Sequence, residues 1–416
     1  MKVGVVAGKR HSVDGGRFSL QSSVISALSS VKTKHQFILI DYIEENNFIR
    51  DDGVQVIGLK SPYEKYDHEI RLFFDIQQCV FKSLRSAVAK LHPAWRFLKP
   101  ESPVARLVRM HQLDVVWFIA PNDAEIVSCP IMTTVWDLEH RLHPWFPEIN
   151  YKDSAWDDLE DYYQRVLPRA MRVITGTQRS KEDLVHFYRL PSANVEVVPF
   201  PVPGLVKLVD QNQIMAIRNR LKIEHDYFIY PSQFWPHKNH VNLLYALAIL
   251  KSENSIVPNI VFTGADKGNK SYVDQVARSL GVEQYIKYLG FVPEDDLNLL
   301  YQGAVALVFP SFFGPDNLPP LEACARGCPV IASTSSGSQE QLGDAVISFN
   351  ATRPDELAAV MQEVFSDKSL RDCLRLKGYE RVAQSTPSNY VEKICTIINQ
   401  IEPVVRCWRA NYDLSR

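Results

Sequence analysis

The chain has 416 residues, is 46% hydrophobic and 23% charged, and carries a formal net charge of -2. These are ordinary values for a globular protein of two or three domains, and they give no electrostatic reason to expect a nucleic-acid partner. Seven cysteines without a Cys-x-x-Cys pair speak against a disulfide framework, and no apolar run approaches the ~18 residues of a membrane span. The opening Met1–Gly8 is a strand and a glycine turn, too short for a signal core. The expected setting is cytoplasmic, with any membrane contact peripheral.

Strand-like apolar runs alternate with helical patterns along the chain. The first half offers Val3–Ala7, Phe37–Ile40, Val54–Leu59, Val115–Ile119, Met132–Val135 and Val173–Gly176. The second half offers Tyr227–Tyr230, Ile260–Thr263, Ile286–Leu289, Ala304–Phe309, Pro329–Ala332 and Ala345–Phe349. The rhythm predicts α/β folding with parallel sheets covered by helices on both faces. Two such sets predict two doubly wound domains. The proline-rich Val198–Gly204 reads as the crossing between them. The expected organisation is a first domain over 1–203, a second over 204–388, and a helical segment over 389–416 that packs back on the first. Ligands bind beyond the carboxyl ends of such strands, so the site belongs in the cleft between the domains.

The loops after these strands carry the candidates. Asp14-Gly15-Gly16-Arg17 precedes a helix expected near Ser19, and Gly15 and Gly16 would let backbone approach an anion; a plain βα turn is the alternative. No Gly-x-Gly-x-x-Gly is present, so a dinucleotide fingerprint is absent. Thr134–His143 offers Asp137, His140 and His143 for hydrogen bonds or acid/base work, or only solvated charge. Tyr230–His240 places Lys238 at a helix start, where an ammonium and the helix N-terminus add at a diphosphate oxygen; Asn239 is a cap or a ligand contact. Thr263–Ser271 nearly imitates a P-loop, but its second glycine comes one residue early, which excludes an ATPase reading. Gly264 then shapes a base pocket or a turn.

The stretch Phe309–Ser333 is the most specific. It reads as a strand, the turn Gly314-Pro-Asp-Asn317, a helix opened by Pro319 and Pro320, and a second strand after Gly327. Glu322 is expected in the first helical turn, so the segment can hold a phosphate on N–H groups and a ribose on a carboxylate. Cys324 and Cys328 are expected on one helix face as core residues.

Pro310-Ser, Gly314-Pro-Asp-Asn-Leu-Pro-Pro-Leu-Glu322-Ala and Gly327-Cys-Pro-Val together resemble the signature of family 4 glycosyltransferases. Gln233-Phe-Trp-Pro-His-Lys-Asn239 and Leu289–Leu297 are similar to that family's second domain, and the Gly15-Gly16 loop and Trp136–His140 to its first-domain loops. The resemblance spans roughly residues 1 to 380. It implies the GT-B architecture, two Rossmann-like domains facing across a cleft, and retaining transfer of a hexose or deoxyhexose from a nucleotide diphosphate sugar to a glycan or lipid-linked glycan. GDP-mannose is the first donor to consider, in surface polysaccharide or O-antigen assembly. No resident cofactor is implied, and with no Asp-x-Asp in the chain no metal is expected.

Carried over by position, the resemblance implies that Glu322 binds the donor ribose. The family's preceding glutamate falls on Gly314 and is absent. Asp316, Asn317 and Leu318 fall in the segment that holds sugar and diphosphate. Lys238 matches the family's lysine, while Gln233 stands where its arginine is common. The family's first-domain histidine falls on Trp136, leaving His140 as its substitute. Lys238 would clamp the leaving diphosphate, and Asp137 and His140 would orient sugar or acceptor. The stretch Phe81–Met110 holds Lys82, Arg85, Lys90, Arg96, Lys99, Arg106 and Arg109 against Glu101. It is a candidate for an anionic bilayer or lipid diphosphate, or an ordinary solvated helix pair. The rival readings are an inactive sugar-nucleotide-binding or scaffold protein of the same fold, and a sugar-nucleotide epimerase.

Overall fold

A computed structural model describes residues 1–8, 16–41, 54–58, 102–120, 123–150, 155–202 and 209–408. Gly15, the basic stretch up to residue 101 and the last two residues of the expected crossing at 198–204 lie outside them.

Two all-parallel sheets form. The first contains β1 (Lys2–Ala7), β2 (Gln36–Asp41), β3 (Gln55–Gly58), β4 (Val115–Phe118), β5 (Ile131–Thr134), β6 (Arg172–Thr175) and β7 (Val195–Val197). Their order is β3-β2-β1-β4-β5-β6-β7. The second contains β8 (Tyr227–Pro231), β9 (Asn259–Thr263), β10 (Ile286–Tyr288), β11 (Leu307–Phe309), β12 (Val330–Ser333) and β13 (Val346–Phe349), in the order β10-β9-β8-β11-β12-β13. Every expected strand is present. The short edge strand β7 was not anticipated.

These sheets are buried on both faces, which is why their strands read as continuous apolar runs. In β1, Val3, Val5 and Ala7 join one core and Val6 the opposite one; in β4, Val115 and Trp117 separate likewise from Val116 and Phe118. The first of these cores is closed by the helices Gly16–Leu28 and Pro387–Val405. The latter starts cleanly because Thr386 accepts from the Asn389 N–H and Pro387 needs no donor partner. Its Tyr390, Val391, Ile394, Ile398 and Ile401 make a buried stripe at helical spacing, so the chain returns to the first sheet.

Each sheet has one point where the strand order reverses, between β1 and β4 and between β8 and β11. Loops leaving adjacent strands there diverge and open a crevice. Lys238 follows β8, Gly314–Asn317 follows β11, and Gly16 follows β1. Six cysteines lie among the described residues and all are free thiols. Cys324 and Cys328 are core residues, but the helix ends at Ala325, so they do not share a helix face.

Candidate active site at the domain seam

The loop after β11 is built for a close approach. Gly314 has φ +116°, a conformation that favours glycine. A Cβ there would lie 2.6 Å from the Asn317 side-chain nitrogen. That nitrogen donates to Gly314 O at 2.5 Å and closes the turn. The helix that follows spans Leu318–Ala325, with prolines where no N–H is needed. It starts one residue before Pro319, so Glu322 is its fifth residue and lies past the first turn, not within it. Burial raises the Glu322 pKa, opposed by Arg326 and by the Tyr301 hydroxyl, which donates to Glu322 Oε2 at 3.2 Å.

Lys238 ends the short turn Pro236–Lys238, two residues ahead of the helix His240–Ser252. Its Nζ lies 3.5 Å from Asn317 Oδ1 and 5.2 Å from the centre of the Phe309 ring. Burial lowers its pKa to about 8, and Asp137, Glu139 and Glu148 of the first domain act against that shift. An ammonium held this way is short of counter-charge and suited to a diphosphate.

Asn239, with φ +54°, donates through Nδ2 to Pro310 O and Ala351 O, both at 3.0 Å. It therefore ties the end of β11 to the segment after β13. Gln233 Oε1 accepts from the Trp235 indole N–H at 3.0 Å. Gly264, at φ +116°, lets its chain pass the Ser232 carbonyl, which a Cβ would approach to 2.4 Å.

First-domain residues close over the loop. Gly16 begins its helix, three residues earlier than expected, and a Cβ on it would be 3.2 Å from Leu318 Cδ1. Asp137 is exposed and accepts from the Glu139 N–H at 3.1 Å. His140 packs into the interior of the first domain. It is buried against Tyr163 and Trp156, with Nε2 3.1 Å from the Tyr188 hydroxyl. Its neighbour Glu139 reaches the loop instead: Gly314 N–H donates to Glu139 Oε1 at 3.2 Å. Burial, reinforced by Asp137, pushes Glu139 up to about 8.

Two further carboxylates cross the seam. Glu148 accepts from the His237 N–H at 3.0 Å and from its Nδ1. Glu340 accepts from the N–H groups of Gln178 at 2.5 Å and Arg179 at 3.2 Å, at the start of the helix Gln178–Tyr188. Asp316 packs on Gly176 so closely that a Cβ there would lie 2.1 Å from Asp316 Oδ1. Burial, with Glu340 and Asp137, holds the Asp316 carboxyl well above the usual range. Gly176→Ala must therefore displace the Asp316 carboxyl from its seat across the seam. Overpacking of this kind costs about 1–3 kcal/mol, so turnover is expected to fall about tenfold or more. Wild-type turnover in this variant would contradict the fit.

Sequence reasoning missed Glu139, Glu148 and Glu340. Glu139 carried one signal, its spacing of four residues from His143 on a helical turn. Glu148 and Glu340 carried none.

Residues 213–381 match the family model for glycosyl transferases group 1. Over those residues the chain is similar to the group 1 glycosyltransferases. The chain is 24% identical over 244 residues to the O-antigen chain mannosyltransferase B of Escherichia coli, across 58% of this chain and 64% of that one. It is 22% identical over 283 residues to the Escherichia coli serotype-specific mannosyltransferase WbdA, across 66% of this chain but 35% of that one. The chain thus spans less than two thirds of either relative. Its fold is that of the solved glycosyltransferase WaaG (TM-score 0.66, 14% identity, 95% and 99% of the two chains covered). The fold also matches Anabaena HepE in its complex with UDP-glucose (TM-score 0.65, 16% identity, 98% and 100% covered). The two-domain GT-B arrangement is therefore the fold of this chain.

Proposed function

We propose that this protein transfers a hexose or deoxyhexose, with retention, from a nucleotide diphosphate sugar to a glycan or lipid-linked glycan in surface polysaccharide assembly. The carrying observation is one juxtaposition. Lys238 after β8 and Asn317 after β11 meet at the sheet's reversal point, 3.5 Å apart, beside the helix that bears Glu322. A carboxylate for ribose hydroxyls and an ammonium for the diphosphate then stand at one crevice. The Escherichia coli relatives named as mannosyltransferases favour GDP-mannose as donor.

Chemistry would proceed by charge stabilisation rather than by a protein nucleophile. As the sugar–phosphate bond breaks, charge builds on the diphosphate, and Lys238 with the nearby backbone N–H groups opposes it. The acceptor hydroxyl attacks from the leaving-group face and passes its proton to a phosphate oxygen. The exposed Asp137 orients a sugar or acceptor hydroxyl, and closure of the seam excludes water. Among the described residues no helix is long and apolar enough to cross a membrane. The exposed Arg106, Arg109 and Met110 on the helix Pro103–His111 support a peripheral position at an anionic bilayer.

The test is nucleotide release from GDP-, UDP- and dTDP-sugars, with and without a lipid-linked acceptor. One sugar nucleotide is expected to be turned over, undiminished by a chelator. Binding without turnover of any of them would instead support the inactive, sugar-nucleotide-binding reading.

A further inference from the structure

Phe313, the residue before Gly314, lies between two imidazoles. One face stacks on His237 (centroids 4.2 Å apart, planes at 10°) and the other on His143 (5.0 Å, 17°). Each imidazole is held by a first-domain carboxylate: His143 Nδ1 lies 2.5 Å from Glu139 Oε2, and His237 Nδ1 meets Glu148 Oε1. The same two carboxylates also accept backbone N–H groups of the second domain, Gly314 for Glu139 and His237 for Glu148. The His237 carbonyl in turn accepts from Phe312 N–H at 2.9 Å, joining the loops after β8 and β11.

The segment that supplies these acids is braced within its own domain. Arg141 Nε donates to Glu160 Oε2 at 2.7 Å, and the Tyr188 hydroxyl donates to the same oxygen at 3.0 Å. The Trp156 indole N–H donates to His140 O at 2.7 Å. Residues 139–148 therefore present fixed groups to a loop whose own turn depends on a positive-φ glycine.

We propose that Glu148, acting through His237, and Glu139, acting through His143, are positioning residues. Together they clamp Phe313 and set the backbone of Gly314, so that the first domain assembles the donor loop of the second on closure. This role rests on the transfer reading given above. It explains why Gly314 can lack a side chain: the turn is held from across the seam.

The experiment compares Glu148→Ala with Glu148→Gln in the full chain. Both contacts of Glu148 use one oxygen, Oε1, and a glutamine carbonyl can accept both hydrogen bonds. In hydrogen–deuterium exchange without ligand, Glu148→Ala should speed exchange of the amides at 237 and 312–314 by about tenfold, the worth of a charge-assisted hydrogen bond. Glu148→Gln should restore near wild-type rates, and amides of β8 should be unchanged in both. With the donor that the wild type turns over, Glu148→Ala should lower kcat by about tenfold while KM stays within about threefold. Wild-type exchange in Glu148→Ala overturns the proposal. So does faster exchange spread equally over β8, or a glutamine variant as perturbed as the alanine one. A wild type that turns over no sugar nucleotide defeats the transfer reading, while the exchange data still decide the clamp.

Discussion

Lys238→Met is expected to abolish measurable transfer and at the same time to raise the melting temperature of the unliganded protein. The Lys238 pKa falls from 10.5 to about 8 on burial. Keeping that ammonium charged at neutral pH costs the fold on the order of 3 kcal/mol. The sign follows from linkage. A lysine with a depressed folded pKa binds its proton more weakly in the native state, so the penalty is fully present below about pH 8 and fades as pH rises towards 10.5. The methionine variant should therefore be the more stable protein at pH 7, with the difference shrinking by pH 10. The penalty is relieved when a diphosphate supplies the missing counter-charge. Nucleoside diphosphate binding to the wild type should consequently take up protons between pH 8 and 10, and its affinity should decline there. Calorimetry in two buffers of different ionisation enthalpy reads this directly. A Lys238→Met protein with wild-type turnover, or with a lowered melting temperature, would show that the lysine is structural.

Glu322→Ala is expected to weaken GDP and UDP alike, by about 10- to 100-fold, the worth of one or two hydrogen bonds to a carboxylate. The effect should be blind to the base because the proposed contact is to ribose. Nucleotides lacking the ribose hydroxyls should bind wild type and variant equally, which makes the comparison a double-mutant cycle. The Tyr301 hydroxyl, now directed at Glu322 Oε2, also lies 3.4 Å from Pro319 O and keeps an acceptor in the variant. Large loss of stability is thus not expected. A variant that holds GDP as tightly as the wild type would refute the ribose assignment.

Much of the architecture could be read from local pattern. Parallel strands buried on both faces must be apolar throughout, and runs such as Val3–Ala7 and Tyr227–Tyr230 announce themselves. β7 escaped because Val195-Glu-Val197 is three residues at a sheet edge, too short to show a pattern. The donor loop was legible because its turn chemistry is local: a positive-φ glycine, a closing asparagine, and prolines in the first helical turn. Its second-domain partner Lys238 was legible for the same reason.

His140 marks where that reasoning stopped. The sequence places Glu139 and His140 side by side on one short turn, but only the packing of Trp156, Tyr163 and Tyr188 turns the histidine inward and leaves the glutamate at the seam. The Asn239 amide is likewise bonded to two carbonyls distant in the chain. By itself the sequence determined two doubly wound domains and the loops at which a sugar nucleotide would bind, because strand burial and turn geometry depend on neighbours in the chain. Only the tertiary structure decided which first-domain groups face those loops. Glu139, Glu148 and Glu340 meet partners between 89 and 175 residues away. No spacing rule reaches across a domain seam, where partners are set by how two rigid sheets are brought together.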